Sequence, residues 1–329
     1  MKNADYAKVI ATLKSVESIA IFMHINPDCD CISSAIALYS FLKKDGKEVS
    51  FFSPELTNAS YIINKFSFLP YIDKFNISNI NNYDLSIAVD VGDITRLGDT
   101  AFKKFIKSKK SIVIDHHEIS NDFAQITLRE SESASTTQIL YKLMCEYNKN
   151  LIDRDIATLL YSGLVTDSGC FSFDNTTPET HHIASELLKY NINVAIINEK
   201  LIRDIQLNVF NLKNRILSKT KFYENNRIGI IVFRLNDFEE TQTSINDTDG
   251  IINNVINIIG VDLAIAISEV AEKRYKLSFR SKNNVNAAAC AKCFGGGGHY
   301  RAAGCRLYGY FEDVFEKVLS VAKEMISDD

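Results

Sequence analysis

Three short apolar runs, Ile19–Met23, Leu85–Val89 and Ser111–Ile114, each lead straight into an acid or an imidazole: His24, Asp90 and the triplet Asp115-His116-His117. Short apolar runs of this kind read as strands. After the first run, Ile32, Ala35, Ile36, Tyr39 and Leu42 recur at helical spacing until Lys43, Lys44 and Gly46 close the helix. A further strand is predicted at Glu48–Phe52. Helices are predicted near Ser135–Tyr147 and Arg154–Val165, and from Pro178 to about Tyr190 with Thr177 as N-cap. Strands alternating with helices predict an α/β chain with a mainly parallel sheet flanked by helices. Such sheets gather their ligands at the carboxyl ends of the strands, which is where these acids and imidazoles fall.

A first loop, His24-Ile-Asn-Pro-Asp28-Cys-Asp30, adds two carboxylates to His24, and Asp167 follows in Gly163-Leu-Val-Thr-Asp-Ser-Gly169. One strand-end aspartate by itself is an ordinary turn or N-cap residue. Four such elements converging on one rim instead form a carboxylate-rich cluster with imidazoles, suited to hard or borderline divalent ions such as Mn or Mg. Cys29 and Cys31 interleave with the acids and are read as small packing residues; as thiolates they would shift the preference toward softer ions. His181 and His182 are neighbours on a predicted helix, about 100° apart, and cannot share an ion.

From about Asn193 to Tyr223 the pattern is helical and polar, and Glu224-Asn-Asn226 breaks it. The predicted organisation is a first domain over 1–192, a helical linker over 193–226 and a smaller α/β domain over 227–329. In the last, strands are predicted at Ile228–Arg234, Leu263–Val270 and Arg274–Lys282, with a helix at Gly250–Ile259. Tyr275, Leu277 and Phe279 alternate with Arg274, Lys276, Ser278, Arg280 and Lys282, so one face of that strand buries and the other presents positive charge. Positions 273–306 hold eight Lys or Arg and no acid, although the whole chain carries a net charge of -4. A glycine run, Gly295 to Gly298, then His299 and on to Gly304, reads as a phosphate cradle whose amides are reinforced by the amino terminus of a following helix. Cys290-x-x-Cys293 lies in an Ala-rich helical stretch without a second pair and is read as helix packing. Net acidity excludes the broad footprint of a general duplex binder. No apolar run nears the ~20 residues of a membrane span. With seven cysteines, an odd number, and no export signal in the first residues, the expectation is a reduced, cytoplasmic protein without a membrane partner.

His24-x-x-x-Asp28-x-Asp30, Asp90, Asp115-His116-His117 and Asp167 together resemble the four motifs of the DHH phosphoesterases. Gly295 to Gly304 is similar to the GGGHxxAAG signature of the DHH-associated domain. The resemblance spans nearly the whole chain and is greatest to the NrnA-type oligoribonucleases that also act as phosphatases of pAp, 3'-phosphoadenosine 5'-phosphate. It departs from the family at Cys29 and Cys31, where small residues are usual. It implies an N-terminal DHH domain, a smaller C-terminal DHH-associated domain and an active site in the cleft between them. It also implies two divalent ions, Mn first and Mg second, one held by His24, Asp28 and Asp90 and the other by Asp30, Asp90, His116 and Asp167. Asp115 would orient His116, and His117 would face the scissile phosphate. Arg280, Ser281, Gly296, Gly297, Gly298 and His299 would hold the substrate. The implied substrates are short single-stranded oligonucleotides, pAp or pApA, with room for a homodimer. Rival readings on the same motifs are a cyclic-dinucleotide or pApA phosphodiesterase, a RecJ-type exonuclease and a non-catalytic nucleotide sensor.

Overall fold

The computed structural model describes residues 2–52, 66–72, 82–117, 122–248 and 250–327; the side chains of 2–4, 299 and 327 lie outside the description. The described chain divides after Asp204 into two compact units. The segment 193–226, predicted as one linker, is therefore shared between them.

In the first unit α1 (Lys2–Lys14) leads to β1 (Ser18–Phe22), α2 (Cys29–Lys44), β2 (Glu48–Phe52) and β3 (Leu85–Val89). A 3-10 turn (Ile94–Leu97), α3 (Gly98–Phe105), β4 (Lys110–Asp115) and β5 (Ile126–Arg129) follow. The unit ends with α4 (Thr136–Asn148), α5 (Arg154–Asp167), α6 (Pro178–Leu188), α7 (Val194–Asn198) and a π turn at Glu199–Arg203. The five strands are all parallel, in the order β2-β1-β3-β4-β5. Their side chains alternate between two cores. Ile19, Ile21, Ile87 and Ile112 pack with α1, α2, α4, α5 and α6, whereas Ala20, Phe22, Ala88 and Val113 pack with Leu97, Ala101 and Phe105 on the opposite face. Burial on both faces is why these strands carry no polar alternation. At α6, Thr177 caps as expected, and with Thr180 it forms a reciprocal capping box ahead of Pro178. The reading from the sequence omitted α1, α3 and β5.

The second unit runs α8 (Leu207–Leu217), β6 (Lys221–Tyr223), β7 (Ile228–Phe233), α9 (Leu235–Thr241), α10 (Ile251–Ile256), β8 (Leu263–Ala271) and β9 (Arg274–Ser281), then α11 (Ala287–Lys292), β10 (Gly297–His299), β11 (Ala302–Tyr308) and α12 (Phe311–Ser327). Its sheet has the order β10-β11-β9-β8-β7-β6, with only β7 and β8 parallel. On β9, Tyr275, Leu277 and Phe279 are buried while Arg274 and Lys276 are exposed, as the alternation predicts. Two corrections follow. Lys221–Tyr223, read as helical, pairs with β7 as an edge strand. The glycine run does not open a helix: α11 precedes it, and the run itself turns into the β10–β11 hairpin. Glycines carry no side-chain pattern, so only cross-strand pairing could reveal that strand. No described helix is long and apolar enough to cross a membrane.

Candidate metal centre

The strand order β1-β3-β4 sets the carboxyl ends of three strands side by side, and with them His24, Asp90 and Asp115-His116-His117. Asp90 ends β3 with φ 60°, a left-handed conformation uncommon outside glycine and asparagine, while its amide continues the ladder to Ile114 O at 2.9 Å. Opposite, the amino terminus of α2 supplies Asp28, the N-cap that accepts from Cys31 N at 3.0 Å, and Asp30 in the first turn. Asp30 is fully buried. Its carboxylate is fixed by the first amides of α4, Thr136 N at 2.7 Å and Thr137 N at 3.1 Å, and by Thr137 Oγ1 at 2.8 Å. An anion at a helix amino terminus is favoured by free N–H groups and the helix dipole. Thr136 Oγ1 meanwhile donates to Asp90 Oδ1 at 3.0 Å, so one helix end orients both acids.

His24 Nε2 lies 3.4 Å from Asp90 Oδ2 and 3.9 Å from Asp28 Oδ2. His116 Nε2 lies 3.3 Å from Asp167 Oδ2 and 3.6 Å from Asp90 Oδ1. Asp30, His116 and Asp167 form one group with donor atoms within 4.8 Å of one another; Asp90, His116 and His117 form a second, and His24, Cys31 and Asp90 a third. Asp167 comes from the last position of α5. The expected ligand residues thus assemble around Asp90, while the exposed Asp28 carboxylate stands at the margin.

Two observations test whether these residues fit divalent cations. His24 Nδ1 lies 2.8 Å from Ile25 O, which places a proton on Nδ1; the buried Nε2 then has no hydrogen-bond partner and faces Asp90 and Asp28. The acids also repel one another. Burial, followed by the charge of Asp167, pushes Asp30 up to about 7, and burial with the charges of Asp28 and Asp90 raises Asp167 to about 6. Burial lowers the His116 pKa, but its bond to Asp167 and the charges of Asp30 and Asp90 outweigh this and raise it to about 10. The cluster therefore attracts positive charge, as protons or as cations, and its oxygen and imidazole donors fit hard or borderline divalent ions. Cys29 and Cys31 are buried, and burial raises both thiols, Cys29 to about 12. Cys31 Sγ contacts Val89 O at 3.6 Å. Both behave as packing thiols.

Asp115 departs from its expected role. Its Oδ1 pairs with His117 Nδ1 at 2.7 Å and its Oδ2 with Arg129 Nε at 3.4 Å, whereas His116 Nδ1 faces Ser133 O at 3.3 Å. Asp115 thus orients His117, with the proton on Nδ1 and the lone pair on Nε2. Arg96, absent from the sequence reading, brings Nη1 to 3.4 Å from His117 Nε2 and Nη2 to 3.4 Å from His24 Nδ1. Its carbonyl accepts from Ile25 N at 2.7 Å, which ties the β1 loop to the turn after Asp90. Gly163 was missed too: a Cβ there would lie 2.5 Å from Asp30 Oδ1. The signals available were the Ser135-Thr-Thr137 run at a predicted N-cap and a lone arginine six residues past Asp90.

The other expected residues lie in the second unit. Arg280 is half-buried on β9, with Nη1 on Phe279 O at 3.0 Å. Ser281 is buried, and its hydroxyl donates to Tyr300 O at 3.1 Å, holding the hairpin. Gly296 and Gly298 are required sterically, since a Cβ would lie 2.3 Å from Gly304 O or 2.5 Å from Ala302 O; Gly297 faces open space. His299 ends β10, and its side chain lies outside the described residues. Cys290 is buried on α11 as read, and His181 stacks on Phe171 at 5.2 Å.

The DHH family N-terminal domain matches residues 18–164, and the DHHA1 domain matches residues 227–328. The chain is 29% identical to the bifunctional oligoribonuclease and PAP phosphatase NrnA of Thermus thermophilus, over 97% of this chain and 94% of that protein. It is 25% identical to the protein of the same name from Bacillus subtilis, over 93% and 94%. Among solved structures, an exopolyphosphatase-related protein from Bacteroides fragilis superposes with a TM-score of 0.84 at 25% identity, covering 99% of this chain and 96% of that one.

Proposed function

From the premise that this chain belongs to the DHH/DHHA1 family of phosphoesterases, we propose that it hydrolyses short oligonucleotides to nucleoside monophosphates and pAp to AMP and phosphate. The observation that carries this reading is the unpartnered, buried His24 Nε2 facing Asp90, in a cluster shared with His116 and Asp167. His24, Asp28 and Asp90 would hold one divalent ion, and Asp30, Asp90, His116 and Asp167 a second, with Mn the favoured metal and Mg the alternative. When bound, the ions would supply Lewis-acid neutralisation of phosphate charge and would acidify an attacking water.

The remaining chemistry belongs to the side chains. Asp115 fixes the His117 tautomer with its proton on Nδ1, and once the substrate phosphate draws Arg96 from Nε2 that nitrogen would accept the water proton and pass it to the departing ester oxygen. One P–O bond forms to the water oxygen as the P–O bond to the leaving ribose oxygen breaks, and that oxygen departs with AMP or with the rest of the chain. Arg96, beside His117 Nε2, offsets the charge that grows on the phosphate oxygens. Thr136 and Thr137 hold Asp90 and Asp30 in place, so no reorganisation is needed during the reaction. Arg280, the Gly296–Gly298 hairpin and His299 would bind the substrate's other phosphates, and Ser281 acts by holding that hairpin.

The test is turnover with Mn on RNA dimers to pentamers, a 20-mer, pAp, pApA and cyclic diadenylate. Cleavage of the short RNAs and of pAp, abolished by a chelator, is the expected result. Full turnover in metal-stripped protein, or activity confined to cyclic diadenylate, would overturn the reading.

A further inference from the structure

The second unit contains a cavity of about 260 Å³ that takes no part in the chemistry above. Its apolar floor is Ile230 and Val232 of β7 with Phe311 and Phe315 from the first two turns of α12. Three cations surround this floor: Lys219, Lys221 on the edge strand β6, and Arg234. The single lining acid, Asp237, is already committed. It takes Lys219 at 3.1 Å, Arg215 from outside the cavity and the Arg234 amide at 3.0 Å.

The cations are also held in place. The Arg234 guanidinium packs over Phe311, Cζ 3.4 Å from the ring centroid, and pairs with Glu269 at 3.7 Å. Stacking on Phe311 holds the guanidinium beside the cavity, where Glu269 and Tyr275 take up only part of its five N–H donors. Lys221 Nζ sits 5.9 Å over the Phe315 ring and has no carboxylate within ion-pair distance among the described residues. An apolar floor beneath preorganised, incompletely neutralised cations matches a flat ring that carries a phosphate. The volume, just under the usual ligand-cavity range of about 300–1,000 Å³, matches one ring-and-phosphate group rather than several.

We propose that this cavity binds a nucleoside monophosphate group, its base against Ile230, Val232 and Phe315 and its phosphate among Lys219, Lys221 and Arg234. The inference goes beyond the proposed function. The cavity lacks a carboxylate–imidazole cluster, so it binds without cleaving and does not require that the metal centre act as described. Two sources share this chemistry, a free mononucleotide and the terminal nucleotide of an oligonucleotide.

The experiment is calorimetric titration of the full chain in excess chelator, which silences the metal centre. AMP, adenosine, inorganic phosphate and 5'-phosphorylated triadenylate are titrated separately. Saturable binding is expected, with adenosine and phosphate each about tenfold weaker than AMP, because each makes only half of the contacts. Lys221→Glu should weaken nucleotide binding about tenfold or more and Lys221→Arg less than about threefold, with melting temperature unchanged because Lys221 is exposed. Photolabelling with 8-azido-AMP should mark the peptides around 221 and 311–315. Lys221-dependent binding of AMP identifies a free mononucleotide, and Lys221-dependent binding of the trimer alone identifies a chain end. Failure of both to saturate, binding indifferent to Lys221→Glu, or label confined to 295–304 would overturn the proposal. None of these outcomes depends on whether the protein cleaves RNA or pAp, so the two readings fail separately.

Discussion

Replacing Gly163 by alanine should separate the positioning of the metal centre from the stability of the fold. Gly163 lies inside α5, and a Cβ there would meet Asp30 Oδ1 at 2.5 Å, Thr137 Cγ2 at 2.6 Å and Thr137 Oγ1 at 2.7 Å. Ordinary contact begins at 3.4 Å, so Asp30 must retreat by about 0.9 Å, the difference between the two distances. It cannot do so freely, because three hydrogen bonds from Thr136 and Thr137 hold its carboxylate. Alanine in place of a mid-helix glycine contributes about 1 kcal/mol of helix propensity. Overpacking costs about 1–3 kcal/mol, and a weakened hydrogen bond to a charged group about 1.5–3 kcal/mol. The balance is a destabilisation of roughly 1.5–5 kcal/mol, or on the order of 3–20 °C in melting temperature for a unit of this size. Turnover should suffer more, since misplacing a reacting group by about 1 Å can cost about 100-fold. The assay is kcat and Mn affinity well below the variant's own melting point, with the melting temperature of each protein measured in chelator alongside. Wild-type kcat and wild-type Mn affinity in folded Gly163→Ala would refute the placement of Asp30 in the centre.

Asp90→Asn keeps the shape and tolerates φ 60°, so it should lower turnover at least about 1000-fold with little change in melting temperature; activity within tenfold of wild type would remove Asp90 from its bridging role. The chelated protein should lose stability as pH rises from 6 to 9. Asp30 at about 7, Asp167 at about 6 and His116 at about 10 keep protons in the folded state that the unfolded chain, with aspartates near 3.9 and histidines near 6.5, releases earlier. Saturating Mn should flatten that slope by taking the place of the protons, and a melting temperature that climbs with pH in chelator would contradict it. Arg280→Ala should raise KM and leave kcat nearly unchanged, whereas Asp167→Ala should mainly lower kcat; steady-state kinetics on a trinucleotide distinguishes them. RNA dimers to about pentamers should be cleaved faster than 20-mers at fixed salt, since a chain of net charge -4 with one local basic stretch gains little from distant phosphates, and equal rates would point to a processive exonuclease.

What was legible in the sequence rests on local periodicity. The apolar runs before His24, Asp90 and Asp115 read as strands, Thr177-Pro178 as the start of a helix, and the alternation in Arg274–Ser281 predicted which side chains would be buried. Parallel strand order then brought His24, Asp90 and His116 to one rim without further information. The rest depended on atoms that meet across long stretches of chain. Thr136 reaches Asp90 over 46 residues and Thr137 reaches Asp30 over 107, so the helix end that holds both acids is invisible to any local pattern. The tertiary structure alone decided that Asp115 turns to His117, that Arg96 closes over the two imidazoles, and that α5 needs a glycine where it passes Asp30. The same holds for the glycine run. Four residues without side chains can become a loop, a cradle or a strand, and pairing with Ala302–Gly304 made the last two of them, with His299, the edge of a sheet. Periodicity determines which face of an element is buried; the directions of individual side chains at a site follow only from how the elements pack.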